Sequence, residues 1–282
     1  HNFANCLCER FGLFYLRAMD GKLHKTYAKK SYGQHFLLDH SIAESIASEI
    51  GVDQQERNVC EVGPGRGFLT EHLLYYALRL TAIEADLDMV GLLKQQYGHK
   101  LHLIHEDILK VDFSTLFEGA PFVLVGNFPY NISSQIVFRM LDFFEYIPTM
   151  VGMFQKEMAM RITANPGTKE YGIISVMTQT KYSCKKILHV DPSKFNPPPK
   201  VQSTVIRLDR KAVILPETLD PLFRTLVKKS FGQRRKMISN SLTGILPRDQ
   251  AMRLTTASLR PEVLDLDGFV SLYHEVRHFL NK

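Results

Sequence analysis

The sequence has no long hydrophobic run. Its apolar stretches end well short of the roughly 18 residues that a membrane-spanning helix requires, although 45% of its 282 residues are hydrophobic. That apolar content is enough for one large folded domain and a smaller one. We therefore expect a soluble protein that has no membrane partner.

Cysteine is scarce as well, since the chain has only four, at positions 6, 8, 60 and 184. They form no Cys-x-x-Cys pair and have no neighbouring His cluster, so the sequence indicates neither a zinc site nor a disulfide framework. Cys60 lies inside an apolar run and is interpreted as a core thiol. These features predict a cytoplasmic protein without a bound metal.

Acidic residues are few in the last third of the chain. From residue 200 onward there are 15 Lys and Arg residues against 8 Asp and Glu residues, whereas the preceding part carries 20 against 21. A near-neutral body with a basic C-terminal part indicates a polyanionic partner. The densest positive charge is Arg234, Arg235 and Lys236. We expect a helix over 234–242, and because cations at a helix start oppose the helix dipole, we predict that these three bind phosphate.

Short apolar segments alternate with helical patterns, which indicates an α/β fold. We predict a Rossmann-like α/β fold with a mostly parallel sheet, followed by a small all-α C-terminal domain. The expected divisions are a possible non-native or upstream extension over 1–20, a first domain over 21–210 and a helical domain over 211–282. The predicted strands are 58–62, 80–83, 101–105, 122–125, 149–154, 181–190 and 201–208.

The turn after the first of these strands narrows the class of ligand. Glycines occupy positions 63, 65 and 67. A P-loop would end in Gly-Lys-Ser or Gly-Lys-Thr, and a dinucleotide fingerprint would have its third glycine at position 68, which is Phe68. The pattern that remains, Glu-x-Gly-x-Gly-x-Gly, is typical of methyltransferases that use S-adenosylmethionine.

Polar residues follow the next strands at the same edge of the predicted sheet. Glu84 ends one strand, and its carboxylate is suited to accepting hydrogen bonds from both ribose hydroxyls of a nucleoside. Asp107 follows another strand and is suited to accepting a hydrogen bond from the cofactor's adenine amino group. We predict that this edge binds the cofactor.

The segment 127–130, Asn-Phe-Pro-Tyr, ends the fourth strand. The side-chain oxygen of Asn127 and the carbonyl of Pro129 are two fixed acceptors that can hold the two hydrogens of an exocyclic amine. Tyr130 offers a flat face on which a base can stack, worth roughly 1–3 kcal/mol. The simpler interpretation is an ordinary strand-ending turn, because Asn and Pro are both turn residues.

The loop 195–200 contains three prolines and is therefore rigid and extended. Such a loop can hold Phe195 where its ring stacks on a ligand. The alternative is a buried phenylalanine that covers the edge of a sheet.

From about residue 32 to the C-terminus, the sequence resembles the small-subunit (16S) ribosomal RNA adenine N6,N6-dimethyltransferase family. The motifs that carry the resemblance are 33–37, 61–67, 127–130 and 195–201. The resemblance implies a Rossmann-like class I methyltransferase fold, with 21–210 as the S-adenosylmethionine-binding catalytic domain and 211–282 as the helical RNA-binding domain. It implies S-adenosylmethionine as the cofactor, and Tyr130 and Phe195 as the flanks of the target base. The cofactor pocket that it implies is lined by His35, Leu37, Gly63, Gly65, Glu84, Asp107 and Asn127. His35 stands where many relatives have Asn, and residues 1–20 have no counterpart.

The resemblance also implies a reaction. The enzyme would dimethylate N6 of two adjacent adenosines in a hairpin loop near the 3′ end of small-subunit ribosomal RNA during biogenesis of that subunit. We expect it to act as a monomer on the immature small subunit, with Arg234, Arg235 and Lys236 contacting the RNA. Two alternatives remain: a large-subunit RNA adenine methyltransferase with the same motif order, and a non-catalytic ribosome-assembly factor. The segment 170–172 and the prolines at 197–199 favour the small subunit.

Overall fold

A twisted seven-stranded sheet organises the protein. The computed structural model describes residues 34–50 and 57–281; the expected extension over 1–20, Cys6, Cys8 and Gly33 lie outside them. The described strands are β1 (Phe36–Leu37), β2 (Asn58–Val62), β3 (Arg79–Glu84), β4 (His102–His105), β5 (Val123–Asn127), β6 (Thr149–Gln155), β7 (Tyr182–Val190), β8 (Phe195–Asn196) and β9 (Ser203–Arg210).

The large sheet has the order β4-β3-β2-β5-β6-β9-β7, and β1 pairs with β8 in a separate two-stranded sheet. The strands β4, β3, β2, β5 and β6 run parallel, whereas β9 lies antiparallel to both β6 and β7. The prediction of a mostly parallel sheet is therefore confirmed. The carboxyl ends of β2 to β5 meet at one edge, as parallel pairing requires.

The described part of the chain contains ten α-helices, of which six lie between the strands in sequence and four come after the last strand. Asp39 caps the first of them by accepting hydrogen bonds from the backbone N–H groups of Ser41 and Ile42. The described part contains no helix with the length and apolarity needed to cross a membrane. The helices are α1 (His40–Ser48), α2 (Phe68–Tyr76), α3 (Leu87–Tyr97), α4 (Ser133–Asp142), α5 (Lys156–Ile162), α6 (Ile173–Gln179), α7 (Pro221–Gly232), α8 (Ile238–Ser241), α9 (Arg248–Ala251) and α10 (Leu266–Leu280).

The core lies on both faces of the sheet, because the central strands are apolar on both sides. On one face, Val59 of β2 and Val125 of β5 pack in a cluster with α1 and α2. On the other face, Leu124 belongs to a cluster that includes residues of α4, α7 and α10. Cys60 is fully buried in that second cluster, as expected of a core thiol.

The helices after residue 216 join the core through contacts between α7 and α6. Phe223 of α7 and Phe269 of α10 are buried in the same cluster as Leu124. The hydroxyl of Tyr171 donates to the carbonyl of Leu264 at 2.9 Å, which ties the segment before α6 to the helical part. The division of the chain at residue 210 stays a prediction.

The prediction of a helix over 234–242 is wrong. The helix α7 ends at Gly232, residues 233–236 form a turn, and α8 begins only at Ile238. Arg234, Arg235 and Lys236 therefore follow the carboxyl end of α7, where the helix dipole favours positive charge. These cations therefore do not oppose a helix dipole, and the prediction that they bind phosphate loses that support.

Candidate active site

A cavity of about 840 Å³ opens at the carboxyl ends of β2, β3, β4 and β5. Open α/β sheets bind their ligands at this edge. The structure brings nine of the predicted site residues to the wall of the cavity. These are His35, Leu37, Gly63, Gly65, Glu84, Asp107, Asn127, Pro129 and Tyr130.

The glycine turn after β2 forms the floor next to Glu84. Gly65 has φ +57°, and a Cβ atom built on it would lie 2.9 Å from the ring of Phe36. A side chain at this position would be strained and would also clash, so the turn requires glycine there. The backbone N–H of Gly65 donates to Glu84 Oε2 at 3.0 Å, which joins the turn to the end of β3.

Glu84 is only 6% exposed. Its Oε1 accepts a hydrogen bond from the backbone N–H of Asp86 at 2.9 Å, while Oε2 accepts from Gly65. Burial raises the pKa of Glu84, and these two backbone hydrogen bonds partly offset that effect. Each carboxylate oxygen keeps a further acceptor position, so the side chain can still accept hydroxyl donors from a ligand.

Asp107 is half-buried one residue before the buried Ile108, and both line the cavity. The Oδ1 atom of Asp107 accepts the backbone N–H of Leu109 at 3.0 Å, which holds the carboxylate in place. Its remaining acceptor positions are available for an amino group. This arrangement is compatible with the cofactor-binding role that the sequence predicts.

Asn127 is the last residue of β5 and lies half-buried at the cavity wall. Its amide nitrogen donates to the backbone carbonyl of His35 at 2.9 Å. Since the nitrogen is engaged in this way, Oδ1 is the atom that remains as an acceptor. The Pro129 carbonyl already accepts the N–H of Ile132 at 3.2 Å, so one of its two lone pairs remains for a ligand.

Tyr130 is fixed at both ends. Its hydroxyl shares a hydrogen bond with Ser203 Oγ at 2.5 Å, and its ring stacks on that of His35 with centroids 5.4 Å apart and planes 26° from parallel. Burial raises the pKa of Tyr130. The ring of His35 is in turn held by a 2.7 Å contact between Nδ1 and the Pro197 carbonyl. One face of Tyr130 is therefore covered by His35.

The structure does not bring Phe195 to the cavity. This residue lies in β8, pairs with Leu37 of β1, and is 3% exposed within the core cluster on the α1 side of the sheet. The structure thus shows the buried phenylalanine that was the alternative interpretation of the proline-rich loop. Its side chain is buried in the same cluster as that of Leu37 of β1.

The three adjacent cations do not act as one group. Arg234 forms an ion pair with Glu262 at 3.5 Å and donates to the carbonyl of Thr168 at 3.0 Å, so it holds the fold together. Arg235 and Lys236 are exposed and line a second cavity of about 660 Å³ together with Arg260. That cavity lies in the helical part and is completed by Gln233, Met237, Asn240 and Thr243.

Glu61 and Arg66 are among the lining residues that the sequence analysis did not single out. Glu61 of β2 is 1% exposed, and its Oε2 accepts the hydroxyl of Thr70 at 2.6 Å. Burial raises the pKa of Glu61 to about 8, and the nearby charge of Glu84 adds to the effect. The sequence feature that could have identified Glu61 is an acidic residue inside an apolar strand. The other residue is Arg66, whose signal was its place between two glycines of the turn.

The family model of the ribosomal RNA adenine dimethylase matches residues 25–267 of this chain. The ribosomal RNA small subunit methyltransferase A of Porphyromonas gingivalis is 46% identical over 251 residues, which cover 87% of this chain and 96% of the relative. The protein of that name from Bacteroides thetaiotaomicron is 44% identical over 256 residues, which cover 89% and 95%.

Two solved structures share the fold over most of the chain. A dimethyladenosine transferase from Plasmodium falciparum has a TM-score of 0.73 at 25% identity, covering 86% of this chain and 98% of that one. The 23S rRNA methyltransferase ErmE has a TM-score of 0.66 at 26% identity, covering 86% and 99%. The predicted class I methyltransferase fold and the resemblance drawn from the motifs are both confirmed. This chain belongs to the ribosomal RNA adenine dimethylase family.

Proposed function

We propose that this protein transfers methyl groups from S-adenosylmethionine to N6 of two adjacent adenosines in small-subunit ribosomal RNA, and that each adenosine is methylated twice. The observation that carries the proposal is the anchored amide of Asn127, whose nitrogen is held by His35. The names of relatives that are more than 40% identical support the small subunit as the substrate.

The donor set of the large cavity fits S-adenosylmethionine. Glu84 offers acceptors for ribose hydroxyls, Asp107 for an adenine amino group, and the turn at Gly65 lets the ligand approach the backbone closely. A cavity of about 840 Å³ is of the usual size for a cofactor site. When bound, the cofactor would supply a methyl group activated by a positively charged sulfur, and transfer of that group to nitrogen would break the S–C bond and release S-adenosylhomocysteine and one proton.

The work of the protein is then to orient a weak nucleophile. The lone pair of an adenine amino nitrogen is delocalised into the ring, so the nitrogen attacks poorly unless it is positioned. Asn127 Oδ1 and the Pro129 carbonyl accept the two N–H hydrogens, which favours a pyramidal nitrogen aimed at the methyl group. Such positioning and preorganised polar contacts account for a large part of the acceleration of transfer reactions.

The target base must leave its RNA stack to reach the cavity. Tyr130 provides the ring against which the base packs, on the face that His35 leaves open. The hydrogen bond from Tyr130 to Ser203 keeps that ring in position. We assign the base contact to Tyr130 rather than to Phe195, because Phe195 is buried behind β1.

The RNA around the target is contacted by the helical part. Arg235, Lys236 and Arg260 line a polar cavity there, and guanidinium and ammonium groups are the usual partners of phosphate. Arg234 has a structural role in this account, because it bridges Thr168 and Glu262. We propose that the chain from about residue 211 forms the RNA-binding domain.

The test is methyl transfer from labelled S-adenosylmethionine to small-subunit particles from a strain that lacks this modification, with large-subunit RNA as the parallel substrate. The proposal predicts label in the small-subunit RNA. Label confined to large-subunit RNA would show that the protein acts on large-subunit RNA, as the name of ErmE states for that enzyme. Tight binding to the small-subunit particles without any label would instead identify an assembly factor.

A further inference from the structure

The large cavity contains one guanidinium among many acidic groups. Within the described part of the chain, Arg66 is the only Lys or Arg residue that lines it. Four carboxylic acids share the wall with it: Glu61, Glu84, Glu106 and Asp107. A ligand that carries both positive and negative charge would find a single permanently cationic partner for its negative group in this wall.

Arg66 is held in place by an aromatic ring. Its guanidinium carbon lies 4.5 Å from the centroid of Phe36, a stacking arrangement that suits a planar guanidinium. Phe36 follows His35 in the chain, and the carbonyl of His35 anchors Asn127. Arg66 and Asn127 therefore contact two consecutive residues, Phe36 and His35.

The order of the strands places the parts of the cofactor. In the proposed function, Glu84 at the end of β3 and Asp107 after β4 bind the adenosine, and Asn127 at the end of β5 faces the methyl group. Strand β2 lies between β3 and β5. The amino-acid portion of the cofactor, which is attached to the same sulfur, would then lie next to the turn that follows β2. That turn carries Arg66.

We propose that Arg66 binds the carboxylate of the methionine portion of S-adenosylmethionine. The inference rests on the proposed function and goes beyond it, because it names the residue that recognises the amino-acid end of the cofactor. The fork of N–H donors on a guanidinium matches a carboxylate in a bidentate arrangement.

The experiment measures the affinities of wild type and of two Arg66 variants for two ligands by isothermal titration calorimetry. The ligands are S-adenosylmethionine and its decarboxylated analogue, which keeps the adenosine, the sulfonium and the amine and lacks only the carboxylate. In Arg66→Gln, the affinity for S-adenosylmethionine should fall about ten-fold or more, whereas the affinity for the analogue should stay the same. Arg66→Lys keeps the charge and should lie between wild type and Arg66→Gln.

Unchanged affinity for both ligands would overturn the inference, and so would an equal loss for both, which would mean that Arg66 only maintains the turn. A rise in the dissociation constant for RNA alone would reassign Arg66 to a phosphate of the substrate. Wild-type protein that binds neither ligand would contradict the proposed function itself. If wild type binds both ligands and Arg66→Gln does not distinguish them, only the role of Arg66 is wrong.

Discussion

Asn127 and His35 are joined by a hydrogen bond of 2.9 Å from the side-chain nitrogen of Asn127 to the backbone carbonyl of His35, across 92 positions of the sequence. The bond decides which end of the amide remains to meet a substrate. A rotated amide would present a donor where the proposed reaction needs an acceptor. The β1 segment is thus part of the site because it orients Asn127.

Asn127→Ala should lower methyl transfer by about 100-fold or more, since the amine then loses a positioned acceptor. The dissociation constant for RNA should change little, because the side chain is far smaller than the surface that the RNA covers. The matched control is Asn58→Ala. Asn58 is the first residue of β2, at the edge of the sheet opposite to the cavity, and its side chain donates to the Pro121 carbonyl. Equal loss of RNA binding and methyl transfer in Asn127→Ala would contradict the role assigned to Asn127.

Replacing Arg235 and Lys236 together with Gln should weaken RNA binding and flatten its dependence on salt. Each phosphate contact that is lost lowers the slope of log affinity against log salt by about 0.7–0.9. Arg234 is left unchanged because it holds Glu262 and Thr168. The control is the double Gln variant of Lys185 and Lys186, an exposed pair on the edge strand β7. If both double variants gave the same slope of log affinity against log salt, the turn at 233–236 would not be part of the RNA interface.

Glu61 makes stability depend on pH. Burial raises its pKa from the ordinary 4.5 to about 8, so the folded state keeps a proton that the unfolded state releases between these values. The free energy of unfolding should therefore fall as the pH rises from about 5 to about 8. Glu61→Gln should remove most of this decline, because the amide has no proton to lose.

The measurement is the midpoint of urea unfolding over that pH range. Glu118→Gln serves as the control, since Arg79 lowers the pKa of the exposed Glu118 and its titration lies below the range tested. The account of Glu61 would be wrong if Glu61→Gln and wild type declined in parallel with rising pH.

Gly152 of β6 leaves room for Phe128, the neighbour of Asn127. A Cβ atom at position 152 would overlap the ring of Phe128 and lie 2.7 Å from the ring of Phe154. Gly152→Ala should cost about 1–3 kcal/mol of stability because the buried rings have to shift. Methyl transfer should fall as well, since Phe128 is next to Asn127 in the chain.

Thermal unfolding of Gly152→Ala and Gly91→Ala provides the comparison. Gly91 is an exposed residue of α3 with no atom within 4 Å of an added Cβ, so Gly91→Ala should stabilise the protein by about 1 kcal/mol. Equal stability of the two variants would show that the space next to Phe128 is not needed.

Much of the site follows from the sequence for one physical reason. Parallel strands bring their carboxyl ends to one edge, so Gly63, Glu84, Asp107 and Asn127 could be placed together from the strand pattern alone. The pairing of Phe195 with Leu37 could not be foreseen, because a proline-rich loop gives no information about which strand it meets. The contact between Asn127 and His35 is equally non-local.

The turn at 233–236 shows a second limit. The apolar spacing after Arg234 fits a long helix, yet α8 spans only Ile238–Ser241. Short helical turns and loops that pack against a core carry the same apolar residues, so periodicity cannot separate them. The correct position of the cations required the tertiary structure.

The most direct test identifies the product. Small-subunit ribosomal RNA incubated with S-adenosylmethionine and either wild-type protein or Asn127→Ala is digested, and the nucleosides are measured by mass spectrometry. We expect N6,N6-dimethyladenosine at two adjacent positions with wild type, and an amount lower by about 100-fold or more with Asn127→Ala. Methylation at another atom, or undiminished N6,N6-dimethyladenosine with Asn127→Ala, would contradict this expectation.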